Sequence, residues 1–203
     1  GKISADAIAA IAKSFPIYFV IIAVGVGIGA ATNAAIGNLI GEKNIRKASL
    51  FVAQSVIFAI IISIIVTLFG LNLSNYLLSL MGSNMESILL TREYLDIIFY
   101  GTFIVMIQIS LNGTLNAQGD TKSYRNVLIF SFFLNIFLNP LFIWGYGIVP
   151  GFGIAGLAIA TVIAQSIGTL YLIYKVNSCK LKKYIYLRCF IPKFSFLKDL
   201  LNQ

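Results

Sequence analysis

Five continuous apolar runs, near residues 8–40, 50–71, 95–117, 127–146 and 154–174, limit what this chain can fold into. Four of them are close to the roughly 20 residues that a helix needs to cross a bilayer. Composition agrees: 59% of residues are apolar and 11% charged, against about 45–50% and about 25% in soluble globular domains. A water-soluble fold of 203 residues has too little interior to hide that much hydrocarbon. Transmembrane strands would alternate over about ten residues, whereas these runs are continuous in Ile, Leu, Phe and Ala. The chain therefore reads as an all-α polytopic membrane protein with five transmembrane helices. The first run is overlong. Lys13 and Pro16 in its first third put its opening turns at the interface or in a tilted segment, with Pro16 bending the helix.

Lys and Arg are retained on the cytoplasmic side of a membrane. Twelve of the fifteen, from Lys43, Arg46 and Lys47 through Lys122 and Arg125 to the tail after Tyr174, fall on one side, and Lys2, Lys13 and Arg92 on the other. "GEKNIRKA", "AQGDTKSYRN" and the tail are thus expected in the cytoplasm, in a multi-pass protein of the cell membrane, with the first residue outside. The net charge of +8 is mostly an orientation signal. A nucleic-acid partner would need a basic patch on a soluble module, and none is expected. Five spans leave the two ends on opposite sides, and no initiator Met precedes Gly1. The chain thus reads as a fragment, with a helix expected before Gly1. The tail "FIPKFSFLKDLLNQ" reads as an amphipathic approach to a further helix. Cys179 and Cys189 lack CxxC spacing and there is no His, so free thiols are expected and no metal site or cofactor.

One polar turn interrupts the apolar sequence at "LNAQGDTKSYRN", residues 115–126. Gly119-Asp120 ends a helix in a tight turn, and Lys122 and Arg125 hold it at an anionic leaflet. "NAQGDTK", followed by "NIFLNPLFIWGYGIVPGFGIAGLAIATVIAQ", resembles the multidrug and toxic compound extrusion (MATE) transporter family. "GKISADAIAAIA", "GIGAATNAAIGNLIGEKNIRKA" and "LLSLMGSNMESILLTREYLDI" resemble other parts of it, in order and spacing. The resemblance implies that residues 1–175 are helices two to six of a twelve-helix transporter. They would form part of its first six-helix lobe, with 176–203 a basic cytoplasmic linker toward a second lobe. The missing first helix and second lobe are then partners of this chain, alongside the bilayer and a small organic, cationic substrate.

Gly25, Gly29, Asn33, Gly37 and Gly41 recur every four residues along the first run. That spacing predicts a face where another backbone packs closely. "GVGIGA" also fits a dinucleotide-binding pattern, but no strand precedes it. Asn112-Gly113-Thr114 is a glycosylation sequon inside a predicted span, where no glycan would be added. Polar residues within spans are expensive: Gln54, Gln108, Asn112, Asn116, Asn135, Asn139, Thr161 and Gln165. Most read as glue between helices.

Asn135 and Asn139 differ, because they lie four apart on one face and Pro140 follows. Pro140 has no N–H, so the Ile136 carbonyl loses its helical partner beside the two amides. Neutral oxygens so gathered suit a hard cation such as sodium. The family resemblance implies a cation or proton site here, made by Asn135, Asn139 and Thr161 with an aspartate of the first helix. Many family members carry Asp where this chain has Asn139, and Asn does not titrate. At the outer end of the third run, Asp96, Tyr100, Phe103 and Ile107 share a face, where a cationic aromatic substrate could meet Asp96 and the rings.

The resemblance favours a multidrug exporter by antiport, with sodium or protons as the coupling ion. A flippase for lipid-linked oligosaccharide precursors, from the same superfamily, is the alternative. Its cavity would carry clustered cations, and only Lys13 lies within an apolar run. A structural membrane partner without transport activity is the second alternative. An enzyme would need a nucleophile with a base, or metal ligands, at membrane depth, and none is expected.

Overall fold

The computed structural model describes residues 5–80, 85–193 and 196, the side chains of residues 5–9, 86, 187 and 188 excepted. In a bilayer core every backbone N–H and C=O must be paired within the chain, and continuous helices do this locally. The elements are α1 (Ala5–Gly41), α2 (Ile45–Leu80), α3 (Met85–Asn116), α4 (Lys122–Trp144) and α5 (Ile154–Asn177). Two short 3-10 turns, Lys180–Tyr184 and Leu187–Phe190, follow. All five helices are long and apolar enough to cross a membrane.

The expected spans are all helical, but the helices outrun them. α2 starts five residues before the expected 50 and ends nine after 71, and α3 starts ten before 95. Hydropathy marks only the stretch that needs hydrocarbon around it. The backbone hydrogen bonds continue through Arg46 and Lys47 at one end of α2 and Asn72 to Ser79 at the other, where Ser74 and Leu78 are buried. α4 instead stops at Trp144, two residues short of 146, because Gly145 takes φ 77°. The α2–α3 connection, 81–84, residues 194–195 and the chain after 196 lie outside the described residues, and with them most of the expected amphipathic approach, 190–203.

α3 is the hub: 56% of its most apolar stretch is buried, against 11% for α4, which packs at the edge on α5. α1, α2 and α5 each lie against α3. Close approach requires glycine at the α1–α3 crossing. A Cβ on Gly29 would lie 2.7 Å from Ile109 Cγ2, and one on Gly113 would run into the Gly29 carbonyl oxygen. Gly25 meets Ile109 in the same way, whereas Gly37 and Gly41 have open space and Asn33 is exposed. The expected small-residue face is therefore real along its first half only. Gly101 against Val162 repeats the device between α3 and α5. Side chains add bonds across the same seams: Thr67 donates to the Phe99 carbonyl at 2.8 Å and Gln108 to that of Gln165 at 3.2 Å.

The α1–α2 and α3–α4 turns, at the end of the bundle rich in Lys and Arg, share one construction. Asn44 N–H bonds to Leu39 O and Lys43 N–H to Ile40 O; Asp120 N–H bonds to Leu115 O and Gly119 N–H to Asn116 O. Both are Schellman closures, which need a left-handed residue at the penultimate position. Gly119 takes it at φ 83°, but in the first turn Lys43 must, at φ 59°. Each turn then caps the next helix: Asn44 Oδ1 accepts from Lys47 N–H at 3.2 Å, and Asp120 Oδ1 from Ser123 N–H at 3.0 Å. Asp120 Oδ2 also accepts from the Ser123 hydroxyl at 2.6 Å. That side-chain bond, more than any other influence, holds the Asp120 carboxyl below its ordinary pKa. The polar turn in the apolar sequence thus closes one helix and opens the next.

Asp120→Ala should lower stability by about 1 kcal/mol at neutral pH, measured by reversible unfolding in mixed micelles. A lowered folded-state pKa stabilises above the ordinary carboxylate value and is lost as pH falls through the lowered one, so the difference should shrink at acid pH. Lys43→Gly should act oppositely, raising stability by about 1 kcal/mol.

Candidate functional site

The polar side chains within the spans divide by whether they find a partner. Gln54 is fully buried, and it is glue of an unexpected kind. Its Nε2 donates to the carbonyls of Cys189 at 2.6 Å and Ile191 at 2.8 Å, and its Oε1 accepts from Lys193 N–H at 2.9 Å. Gln108 joins α3 to α5, as expected of glue. Four amide oxygens are different: Asn112 Oδ1, Asn135 Oδ1, Asn139 Oδ1 and Gln165 Oε1 are buried and accept no hydrogen bond among the described residues. Leaving such an acceptor unpaired costs about 1–3 kcal/mol, so the fold tolerates these groups against its own stability.

Asn135 and Asn139 belong to a stripe of period four along α4. Val127 and Ser131 in that stripe are buried, and Val127 lies against Gly168 of α5. The opposite face of α4 is apolar and open, with Phe133 at 56% and Phe137 at 73% exposure. Asn135 therefore sits on the inward side, where its Nδ2 donates to the Ser131 carbonyl at 2.9 Å and its Oδ1 stays available. One turn on, Pro140 lies inside α4, so the Ile136 carbonyl has no i+4 N–H to accept from.

Thr161 stands on another surface. Its hydroxyl donates to the Leu157 carbonyl at 2.9 Å, which leaves the oxygen's lone pairs free to accept. It lines a narrow cleft between α1, α3 and α5 with Tyr18, Thr102 and Gln165, and neither asparagine lines that cleft. The described hydrogen bonds do not join Thr161 to Asn135 or Asn139. Gln165, four residues on along α5, shares a face with Thr161, whereas Tyr18 and Thr102 come from α1 and α3, and only the packing of α1 and α5 on α3 brings them in.

Asp96, expected to meet a cationic substrate, is already paired within its own helix. Its Oδ2 pairs with Arg92 Nη2, four residues back on α3, at 3.4 Å. Tyr100 and Phe103, at 66% and 49% exposure, lie on the outer surface of the bundle. Between α1 and α2 runs an apolar groove of about 450 Å³, from Pro16 and Val20 across Phe69 and Leu73 to Phe99, suited to hydrocarbon. Among the described residues no group of three or more His, Cys, Asp or Glu is placed to hold a metal. Cys179 and Cys189 are free thiols.

These features define a polytopic α-helical membrane protein with neutral oxygen donors buried between its helices. Residues 1–141 match the MatE family, and the chain belongs to it. The chain is 30% identical over 178 residues to an FAD transporter of Shewanella oneidensis, covering 86% of this chain and 39% of that protein. It is 31% identical over 159 residues to the probable multidrug resistance protein YoeA of Bacillus subtilis, covering 78% and 34%. Among solved structures, the inward-facing conformation of a multidrug resistance MATE family transporter of the MOP superfamily superposes with TM-score 0.86 at 30% identity. That match covers 97% of this chain and 44% of that one. A MOP superfamily transporter from Pyrococcus furiosus superposes with TM-score 0.85 at 31% identity, covering 98% and 43%. The chain thus spans less than half the length of these relatives, and the expected MATE fold is the one found.

If the asparagine oxygens serve something other than helix packing, Asn135→Leu should leave stability unchanged or raise it slightly. Gln108→Leu, which deletes a bond across a seam, should cost about 0.6 kcal/mol. Parallel unfolding of both variants in bicelles measures the contrast. Equal losses would make Asn135 glue.

Proposed function

We propose that this chain is part of a cation-coupled exporter of small organic molecules, built as part of the first lobe of a MATE transporter. The observation that carries this reading is the pair of buried amide oxygens of Asn135 and Asn139 on the inward stripe of α4, without a hydrogen-bond partner among the described residues, in a helix where Pro140 also leaves the Ile136 carbonyl without its i+4 N–H. Acceptors kept without donors inside hydrocarbon suit a cation that arrives and leaves, with sodium the fitting hard ion. Thr161 joins such a site only if α5 turns relative to α4, a movement of the kind that alternating access provides. If protons drive transport instead, the titrating group is none of these three residues. No cofactor beyond the coupling ion is proposed. Residues 1–175 are the lobe and 176–203 the linker toward a second one, with the Lys- and Arg-rich end in the cytoplasm of a cell-membrane protein. MATE family members are transporters rather than enzymes, and transport is the activity proposed.

The cargo admits two readings. Relatives named for multidrug resistance or export favour organic drugs. A relative named an FAD transporter matches at similar identity and favours a flavin dinucleotide.

In vesicles from cells expressing the complete open reading frame, ethidium or FAD movement should respond to an imposed sodium or proton gradient and to no other energy source. Movement indifferent to both gradients would refute coupling. Asn139→Asp should introduce a new pH dependence or tighten sodium binding, because it places a carboxyl whose charge burial opposes and a cation favours. An unchanged ion and pH profile in both Asn139→Asp and Asn135→Leu would move the site elsewhere. Single cysteines at Lys43 and Lys122 should react only from the cytoplasmic side.

A further inference from the structure

Gln54 and Ser49 hold residues 180–193 as a strap along the first turns of α2. The Ser49 hydroxyl donates to the Leu181 carbonyl at 2.8 Å, and the Leu181 side chain is buried. Gln54 grips the far end through three backbone partners, and the Arg46 guanidinium lies 5.6 Å over the Tyr184 ring. A strap fixed at both ends has fixed faces. Its outward face carries Tyr186 at 63%, Phe190 at 44% and Ile191 at 60% exposure. Exposed Lys180, Lys182, Lys183 and Lys193 lie among them.

The charge around the strap is one-sided. Residues 42–47, 120–125 and 175–193 hold eleven Lys and Arg against two acids, Glu42 and Asp120. Asp120 is engaged by Ser123, and the ion pair Arg92–Asp96, the only one among the described residues, lies far along α3 from this end. The strap also lies at a telling depth. The 36 residues of α2 span about 54 Å, well beyond a hydrocarbon core of about 30 Å, and Gln54 lies nine residues, about 14 Å, from its start. Aromatic and aliphatic side chains interleaved with lysines fit neither water nor hydrocarbon, and the headgroup layer suits both.

We propose that the strap is a docking surface for an anionic phospholipid leaflet: the lysines meet lipid phosphates while Tyr186, Phe190 and Ile191 enter the boundary of headgroup and acyl chain. This rests on the chain's being a membrane-spanning bundle and is independent of cargo and coupling ion. It makes the position of the chain leaving α5 depend on the lipid beside it.

The test places a fluorophore on Pro192→Cys, in a Cys179→Ser, Cys189→Ser background of the protein reconstituted in bilayers. Quenching by brominated phosphatidylglycerol and by brominated phosphatidylcholine is then compared. The anionic lipid should be preferred about fivefold, the equivalent of one lysine at a charged leaflet. Replacing Lys180, Lys182, Lys183 and Lys193 together by Gln should bring the ratio near one. These side chains are exposed, so the variant should fold, with unfolding in micelles as the check. Equal quenching by the two lipids, or an undiminished preference in the Gln variant, would overturn the proposal. So would loss of the preference in inorganic phosphate but not in chloride of the same ionic strength, because the surface would then be a site for free phosphate.

Discussion

The backbone contact between α1 and α3 at Gly29 and Gly113 is the interaction on which the rest of the bundle depends. Lipid tails are as apolar as Leu, so helices in a bilayer gain nothing by hiding apolar surface from their solvent. What holds them together is close packing and a few bonds between polar groups. Glycine at the crossing lets α1 settle onto α3, with the side chain of Ile109 lying against Gly25 and Gly29. Thr67, Gln108 and Gly101 then fasten α2 and α5 to the same hub. α4, which reaches α3 only marginally, depends on α5 for its place.

That dependence shapes the candidate surfaces. The asparagine stripe of α4 owes its burial to α5, and the cleft at Thr161 owes its walls to α1 and α3. The two sets of oxygen donors thus sit on different seams of one small bundle. A shift of α5 against its neighbours changes both seams at once. Under the proposed function, this is the physical route by which a cation on α4 and a molecule beside α5 would sense one another.

Much of this was legible in sequence, for reasons that also explain what was not. The five spans were clear because hydrocarbon imposes continuous apolarity, and the family was clear from motifs that keep their order along the chain. The helix ends were not, since hydropathy is silent where a helix such as α2 runs on through Arg46 and Lys47. The glycine stripe was visible, but spacing alone could not tell that Gly25 and Gly29 face a neighbour while Gly37 and Gly41 face open space. The i, i+4 spacing of Arg92 and Asp96 was a local signal for their pairing, which grouping Asp96 with Tyr100 and Phe103 left unused. Gln54 stands out in sequence as a costly polar residue within a span. Its partners lie about 135 to 139 residues on, in a tail whose pattern gives no hint of returning to α2.

The tightness of the α1–α3 crossing, on which the bundle rests, is measured directly by paired glycine substitutions. Gly113→Ala places a methyl group against the Gly29 carbonyl oxygen, a backbone atom that moves only if α1 moves. Overpacking of this kind should destabilise by about 1–3 kcal/mol in reversible unfolding in bicelles. Gly37→Ala meets nothing within 4 Å, and should gain about 0.5–1 kcal/mol from helix propensity alone. Opposite signs for the two variants are the predicted result. Equal effects, or a Gly113→Ala protein as stable as the parent, would contradict the close packing of α1 on α3.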